Sequence, residues 1–222
     1  NRYGVTVSKA AKVTVTYPLP VAVNATNLAW TTTVSLPWFG QPDLSHDGIH
    51  SARSGDITHN QETFLQTTVG GPGQLSFWWK VSSETNYDYL RFYLNGTEQT
   101  GSLAKISGNV DWVQKTVAIP TGSNTVKWGY TKDGSVVSGS DAAWVDQFVF
   151  TPAATPEIVV EQPVGTNLVD GSASVDCGIS NLSSSSAPVT FTVRNTGDAN
   201  LTGLALSKDG ANSADFALGN LG

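Results

Sequence analysis

Two groupings of side chains in this sequence have the types and spacing for chemistry. The first is rich in oxygen. Glu84, Asn86 and Asp88 alternate along one stretch, and Asp133, Asp141 and Asp146 are spread along another. A hard cation such as calcium takes about six to eight oxygen ligands from carboxylates, amides and carbonyls, so Glu84, Asp88, Asp133, Asp141 and Asp146 are the candidate ligands. Their spacing follows no defined calcium-loop motif, and Asp and Asn equally cap turns by accepting bonds from nearby backbone amides. The second grouping is aromatic. In Tyr89-Leu-Arg-Phe-Tyr-Leu94, the residues Tyr89, Arg91 and Tyr93 share one parity, and Trp78 has the outward parity on its own strand. Pyranose rings stack on aromatic faces and Arg bonds hydroxyls, so these four form a candidate sugar platform, with Trp38 beside Phe39 as a second. The competing reading covers them with a loop or packs them between sheets.

Catalytic constellations are weaker. His46, His50 and His59 are few and lie in loop-like sequence. An i, i+4 histidine pair makes a metal-binding face only on a helix, and Gly48 and the nearby aspartates oppose one. His46-Asp47-Gly48 reads as a turn whose imidazole bonds backbone. No Gly-x-Ser-x-Gly elbow occurs, and nothing pairs a nucleophile with a base. An enzyme is therefore not expected. Cys177 stands alone, which excludes an internal disulfide framework, and alternation with Val175 predicts a small buried residue rather than a reactive thiol. Four Asn-x-Ser/Thr triplets, at Asn24, Asn95, Asn181 and Asn200, are expected by chance in so Asn- and Thr-rich a chain.

The elements that must position these residues are strands. Leu75, Phe77, Trp79 and Val81 share one parity, against Ser76, Lys80 and Ser82, and this period of two marks a strand with one buried face. It returns in Tyr89–Leu94 and in Val126-Lys-Trp-Gly-Tyr130, while Ala143 to Phe150 is apolar on both parities, as near the middle of a sandwich. Further strands are expected at Thr63–Val69, Trp112–Ile119 and Asn124–Tyr130. Gly70-Gly-Pro-Gly73 and Pro120-Thr-Gly-Ser123 read as the tight turns between them. Asn95-Gly96 is a hairpin signal, because a type I′ turn needs positive φ at both central residues. Residues 3 to 17 read as two short strands, Tyr3–Val7 and Lys12–Tyr17, and Pro18-Leu-Pro20 as a stiff break. After the linker Thr151-Pro-Ala-Ala-Thr-Pro156, strands are expected at Glu157–Glu161, Ala173–Cys177, Val189–Asn195 and Leu204–Lys208.

Of the 222 residues only 14% are charged, and the net charge of −6 leaves no basic stripe for nucleic acid. Seven Trp, six Tyr and eight Phe can fill a sizeable core. No run reads as long and apolar enough to cross a membrane, and none reads as a signal peptide. The absence of any methionine predicts a processed product or a fragment.

Several motifs occur in an order that resembles a known module. Trp38-Phe39, His46-Asp47-Gly48, Ser54-Gly55, Gly71-Pro-Gly-x-Leu-Ser-Phe-Trp-Trp-Lys80, Asp111-Trp112, Lys132-Asp-Gly-Ser135 and Asp141-Ala-Ala-Trp-Val-Asp146 are similar to bacterial jelly-roll modules related to MAM and laminin-G-like domains. That resemblance covers about residues 24 to 151. It implies a concanavalin-type sandwich in a non-catalytic adhesive or carbohydrate-associated setting, and related jelly rolls often hold structural calcium. Pro156-Glu-Ile-Val-Val-Glu161, Pro188-Val-Thr-Phe-Thr-Val-Arg-Asn-Thr-Gly197 and Ala214-Asp-Phe216 resemble the immunoglobulin-like choice-of-anchor D family, akin to ASH domains, with Cys177 where that pattern has an aromatic. Tyr3-Gly-Val-Thr-Val-Ser8 resembles the closing strands of a bacterial Ig-like domain.

The expectation is thus an all-β chain, an antiparallel jelly-roll sandwich flanked by partial Ig-like segments. Its parts are 1–20, the tail of an Ig-like domain; 21–151, the jelly roll; and 152–222, the start of another Ig-like domain. The expected role is a structural or adhesive segment of a large secreted or cell-surface bacterial protein. Its expected partners are polysaccharide, other surface proteins, or copies of itself joined head to tail when one molecule's first strands complete another's last domain. The alternative is a carbohydrate-binding accessory module of a polysaccharide-degrading enzyme. A hydrolase domain elsewhere in the parent chain would favour it, and repeated copies of these modules would favour the scaffold.

Overall fold

Two very long strands, Glu62–Ser82 and Asn109–Thr131, are paired antiparallel from Glu62 against Thr131 to Ser82 against Asn109. The computed structural model in which they are seen describes residues 16–221, so the expected strands Tyr3–Val7 and most of Lys12–Tyr17 lie outside the described residues. The first unit, which runs to Ala153, contains β1 (Trp30–Thr32), β2 (Phe39–Gln41), β3 (Ser51–Arg53), β4 (Glu62–Ser82), β5 (Tyr89–Leu94), β6 (Thr97–Glu98), β7 (Asn109–Thr131) and β8 (Ala142–Pro152). Strand order is β2-β3-β8-β4-β7-β5-β6, with β1 on the outer edge of β4. Every pairing is antiparallel.

A flat strand of the 21 residues in β4 would run about 70 Å at roughly 3.3 Å per residue. Instead the β4–β7 hairpin folds over on itself. Phe77, near one end, meets Trp128, paired near the other, with ring centroids 4.9 Å apart. The fold falls at Gly70–Gly73 against Ile119–Ser123, where the register shifts. Gly71 is required there, since a Cβ would stand 2.1 Å from the Pro120 carbonyl oxygen. The two segments expected as turns are therefore bends in continuous strands. Gly and Pro interrupt the strand period in either case, but at these bends the ladder carries on.

Folding the hairpin makes two layers of an antiparallel sandwich. One layer is β1, the first half of β4, the second half of β7, β5 and β6. The other is β2, β3, β8, the second half of β4 and the first half of β7. Leu65, Val69, Leu90, Phe92, Val126, Trp128 and Tyr130 face inward from the first layer, and Ala52, Leu75, Phe77, Trp79, Val81, Val145 and Phe148 from the second. Burial of each large apolar side chain contributes about 1.5–3 kcal/mol. Aromatic packing ties the layers, with Phe77 on Phe92 at 5.0 Å and Trp128 on Phe148 at 6.0 Å. Asn95 and Gly96 both have positive φ, at 51° and 80°, and turn β5 into β6 as their sequence predicts. Pro18-Leu-Pro20, expected as a break, opens a one-turn helix at Leu19–Ala22, with proline in its first turn.

The second unit, from Ala154 onward, holds a two-stranded antiparallel sheet of β9 (Ile158–Glu161) and β10 (Thr192–Asn195). Arg194 grips Glu161 with two bonds of 2.9 and 3.0 Å across it. Ala173–Cys177 and Leu204–Lys208, expected as strands, are irregular. Alternation supplies a face, but a strand also needs a partner edge, and neither segment has one among the described residues. Cys177 is accordingly half-buried rather than buried.

Candidate functional site

The outer face of the first layer carries a grid of nine positions set by register. Glu62, Phe64 and Gln66 of β4 stand opposite Thr131, Gly129 and Lys127 of β7, which in turn stand opposite Tyr89, Arg91 and Tyr93 of β5. Tyr89, Arg91 and Tyr93 thus share one face, as their parity predicts, because Leu90 and Phe92 between them are buried in the core. None of Phe64, Tyr89 and Tyr93 packs against that core.

Gly129 at the centre of the grid has no side chain, so the Tyr93 ring lies down toward the strand. An added Cβ would stand 3.3 Å from Tyr93 Cε2. Cations lie over the rings. Lys127 Nζ is 4.3 Å from the Tyr93 centroid and 5.9 Å from that of Phe64, Lys105 Nζ is 4.0 Å from the Tyr89 centroid, and Arg91 Cζ is 4.8 Å from the same ring. Arg91 also bonds Thr131 Oγ1 and approaches Glu98 at 3.4 Å, whereas Lys105 and Lys127 meet no carboxylate among the described residues. Partial burial raises the Tyr93 phenol pKa, and Glu98 adds to this against the opposing Arg91. A surface of flat rings, cations and short polar side chains can stack an apolar ring face while bonding its hydroxyl or carboxylate substituents.

Trp78 does not belong to this face. It points outward from the second layer, on the opposite side of the sandwich, because its neighbours Phe77 and Trp79 are inward there. The His46 ring stacks on it at 3.6 Å, nearly parallel, and Trp112 meets that imidazole edge-on. His46 Nδ1 bonds Gln147 Oε1 at 2.6 Å, so the partner of the imidazole is a side chain rather than the expected backbone. Trp38 is also corrected. It is 2% exposed and fills the core, so no face of its ring is open to a ligand.

The five candidate calcium ligands separate. Carboxylate oxygens of Glu84, Asp88 and Asp133 come within 4.8 Å of one another at one end of the sandwich. Asp146 is elsewhere, wholly buried under the His46 loop, where it accepts the backbone N–H groups of His46, Asp47 and Gln147. Burial pushes its pKa up, against the lowering effect of those bonds. Asp141 faces Lys132, whose ammonium also bonds Asp88 Oδ2 at 2.8 Å, with both of those side chains fully buried. Burial works against the charged Lys132, but its bonds to Asp141 and Asp88 outweigh that and raise its pKa. Glu84 is raised by burial and by the nearby Asp133 and Asp88. The Lys132 ammonium thus stands against Asp88, one of the three carboxylates of this cluster.

Phe64, Gln66, Lys127 and Gly129 were not among the sequence candidates. Phe64 and Gln66 lie on the outward parity of Thr63–Val69, and Lys127 and Gly129 on that of Val126–Tyr130, with Gly129 covered by Tyr93. What was missing was the register that brings both strands beside Tyr89–Tyr93.

No family model matches this chain, and no curated protein matches it. Solved structures with similar shape include the secreted serine protease VesC from Vibrio cholerae, at 18% identity and a TM-score of 0.42 over 52% of this chain and 24% of that one. Another is the K3 cleaved adhesin domain of Lys-gingipain from Porphyromonas gingivalis W83, at 17% identity and a TM-score of 0.40, covering 56% of this chain and 91% of that domain. A third is TmCBM61 in complex with β-1,4-galactotriose, at 10% identity and a TM-score of 0.38 over 56% and 88% of the two chains. Among the described residues, no helix is long and apolar enough to cross a membrane.

Proposed function

We propose that the first unit is a non-catalytic, glycan-contacting module of an exported protein, and that its contact surface is the outer face of β4, β7 and β5. The observation that carries this is the grid around Gly129. Tyr89, Tyr93 and Phe64 supply ring faces outside the core, Arg91, Gln66 and Thr131 supply hydrogen bonds, and Lys105 and Lys127 stand over the rings without a carboxylate partner among the described residues. Two lysines standing over the rings of the contact face, in a chain with net charge −6, favour an acidic glycan over a neutral one. The histidines support the non-catalytic reading. His46 is held by Trp78 and Gln147, and His50 packs on Tyr17, and neither imidazole bonds a serine hydroxyl among the described residues. The resemblance to modules of exported bacterial proteins supports an extracellular setting.

Affinity electrophoresis of the whole chain through gels containing polygalacturonate, or a neutral β-glucan for comparison, tests the reading. The expected result is retardation by the polyuronate that weakens as salt is added, since exposed charges are screened within about 10 Å at 0.1 M. A folded chain that runs unretarded in every gel sinks it.

A further inference from the structure

At the end of the sandwich where β5 begins and β7 ends, an amine and a carboxylate are shut away from water in contact. Lys132 Nζ lies 2.8 Å from Asp88 Oδ2, and both side chains are 0% exposed. The second oxygen of Asp88, Oδ1, accepts the Asp133 backbone N–H at 3.0 Å. The opposite side of the ammonium is bonded to Asp141 Oδ1, which also accepts the Tyr130 hydroxyl at 3.1 Å. An ordinary buried ion pair has one acid for one base. Here one amine has two carboxylates, and one of those already has a backbone donor on its far oxygen.

We propose that Lys132 and Asp88 condense into an intramolecular amide, an isopeptide bond cross-linking β7 to the segment leading into β5. The atoms balance without any oxidant or activating reagent. Lys132 passes one proton to Asp88 Oδ2, and the lone pair of the resulting neutral amine attacks Asp88 Cγ. Negative charge gathers on Oδ1, where the Asp133 N–H stabilises it. The Nζ–Cγ bond forms and the Cγ–Oδ2 bond breaks. After the attack Asp141 takes a second proton from Nζ and hands it to Oδ2, which leaves as water carrying two of the three original ammonium protons, and Asp141 returns to its starting carboxylate. The products are a neutral amide and water, from a reactant pair with no net charge.

Two physical effects favour the step. Groups held in reacting contact behave as if at concentrations on the order of 10⁵–10⁸ M. Turning the pair into an amide also removes two charges from a site where desolvating charge is costly. The Asp133 N–H that bonds the carboxylate suits the amide carbonyl equally well.

Intact mass spectrometry of the denatured full chain tests the bond without any variant. The expected mass is one water below the sequence mass. Trypsin, which does not cleave after an acylated lysine, should yield a branched peptide joining Asp88 to Lys132. Asp141→Asn, which keeps size and polarity but cannot carry the proton, should fold and show the full sequence mass. A folded wild-type chain at full mass overturns the proposal, as does a branched peptide joined through Asp141. A water-deficient Asp141→Asn chain overturns the relay assigned to Asp141.

Discussion

Glu161 and Asp88 are both carboxylates of low exposure, Asp88 wholly buried and Glu161 nearly so, and each is stabilised by a single cationic partner. At Glu161 the bidentate bond from Arg194 comes first and the Gly165 N–H second, and together they hold its pKa below the usual 4.5. A carboxylate depressed in the folded state adds stability above its unfolded pKa and loses it as pH falls through the folded value. Hydrogen exchange at the Thr192–Asn195 amides should therefore quicken as pH is lowered below 4.5, beyond the intrinsic pH effect on exchange. In Glu161→Gln the same amides should be poorly protected at every pH. At Asp88 the partner is Lys132, and this bears on calcium. As an ion pair, the ammonium repels a divalent ion. As an amide, Asp88 offers one carbonyl already committed to the Asp133 N–H. Adding calcium or EDTA should leave the melting temperature unchanged, and a rise with calcium that saturates would refute this account of the cluster. In the sequence, five acidic residues looked alike as ligands. Nothing in their spacing separates Asp146, which pins the His46 loop, from Asp133, because the distinction lies in contacts about 100 residues apart along the chain.

The elements depend on two places where long strands bend without ending. Gly70 and Gly71 are adjacent, yet a Cβ at Gly70 meets nothing within 4 Å, whereas one at Gly71 runs into the Pro120 backbone. Gly71→Ala should therefore lower stability by about 1–3 kcal/mol, the usual range for overpacking, while Gly70→Ala costs less than 1 kcal/mol by comparison. Urea unfolding of the two variants separates them, and equal losses would place the fold-over elsewhere. Strand positions, inward parities and the Asn95-Gly96 turn were legible in the sequence because each is a local property of a few neighbours. Whether Gly70–Gly73 reverses the chain or bends it was not legible, since it depends on whether the partner strand bends at the matching place. The irregular Ala173–Cys177 has the same cause: its alternation was read correctly, but pairing is a property of two segments.

At the scale of the molecule, the first unit presents two outer faces, and sequence alone merged them. Trp78 and Tyr93 obey the same alternation on neighbouring strands in the sequence, but folding the β4–β7 hairpin turns them to opposite sides. One face is closed by His46 on Trp78. The other leaves Tyr89, Arg91, Tyr93 and Phe64 around Gly129. The central claim is that this second face is the one that meets a glycan. It is tested most directly by comparing polyuronate affinity for Tyr93→Ala and Trp78→Ala, with the fold of each variant confirmed by its melting curve. Aromatic stacking contributes about 0.5–1.5 kcal/mol, so Tyr93→Ala should weaken binding by up to about tenfold while Trp78→Ala binds as the unaltered chain does. Weakened binding in Trp78→Ala with Tyr93→Ala unaffected would contradict the account.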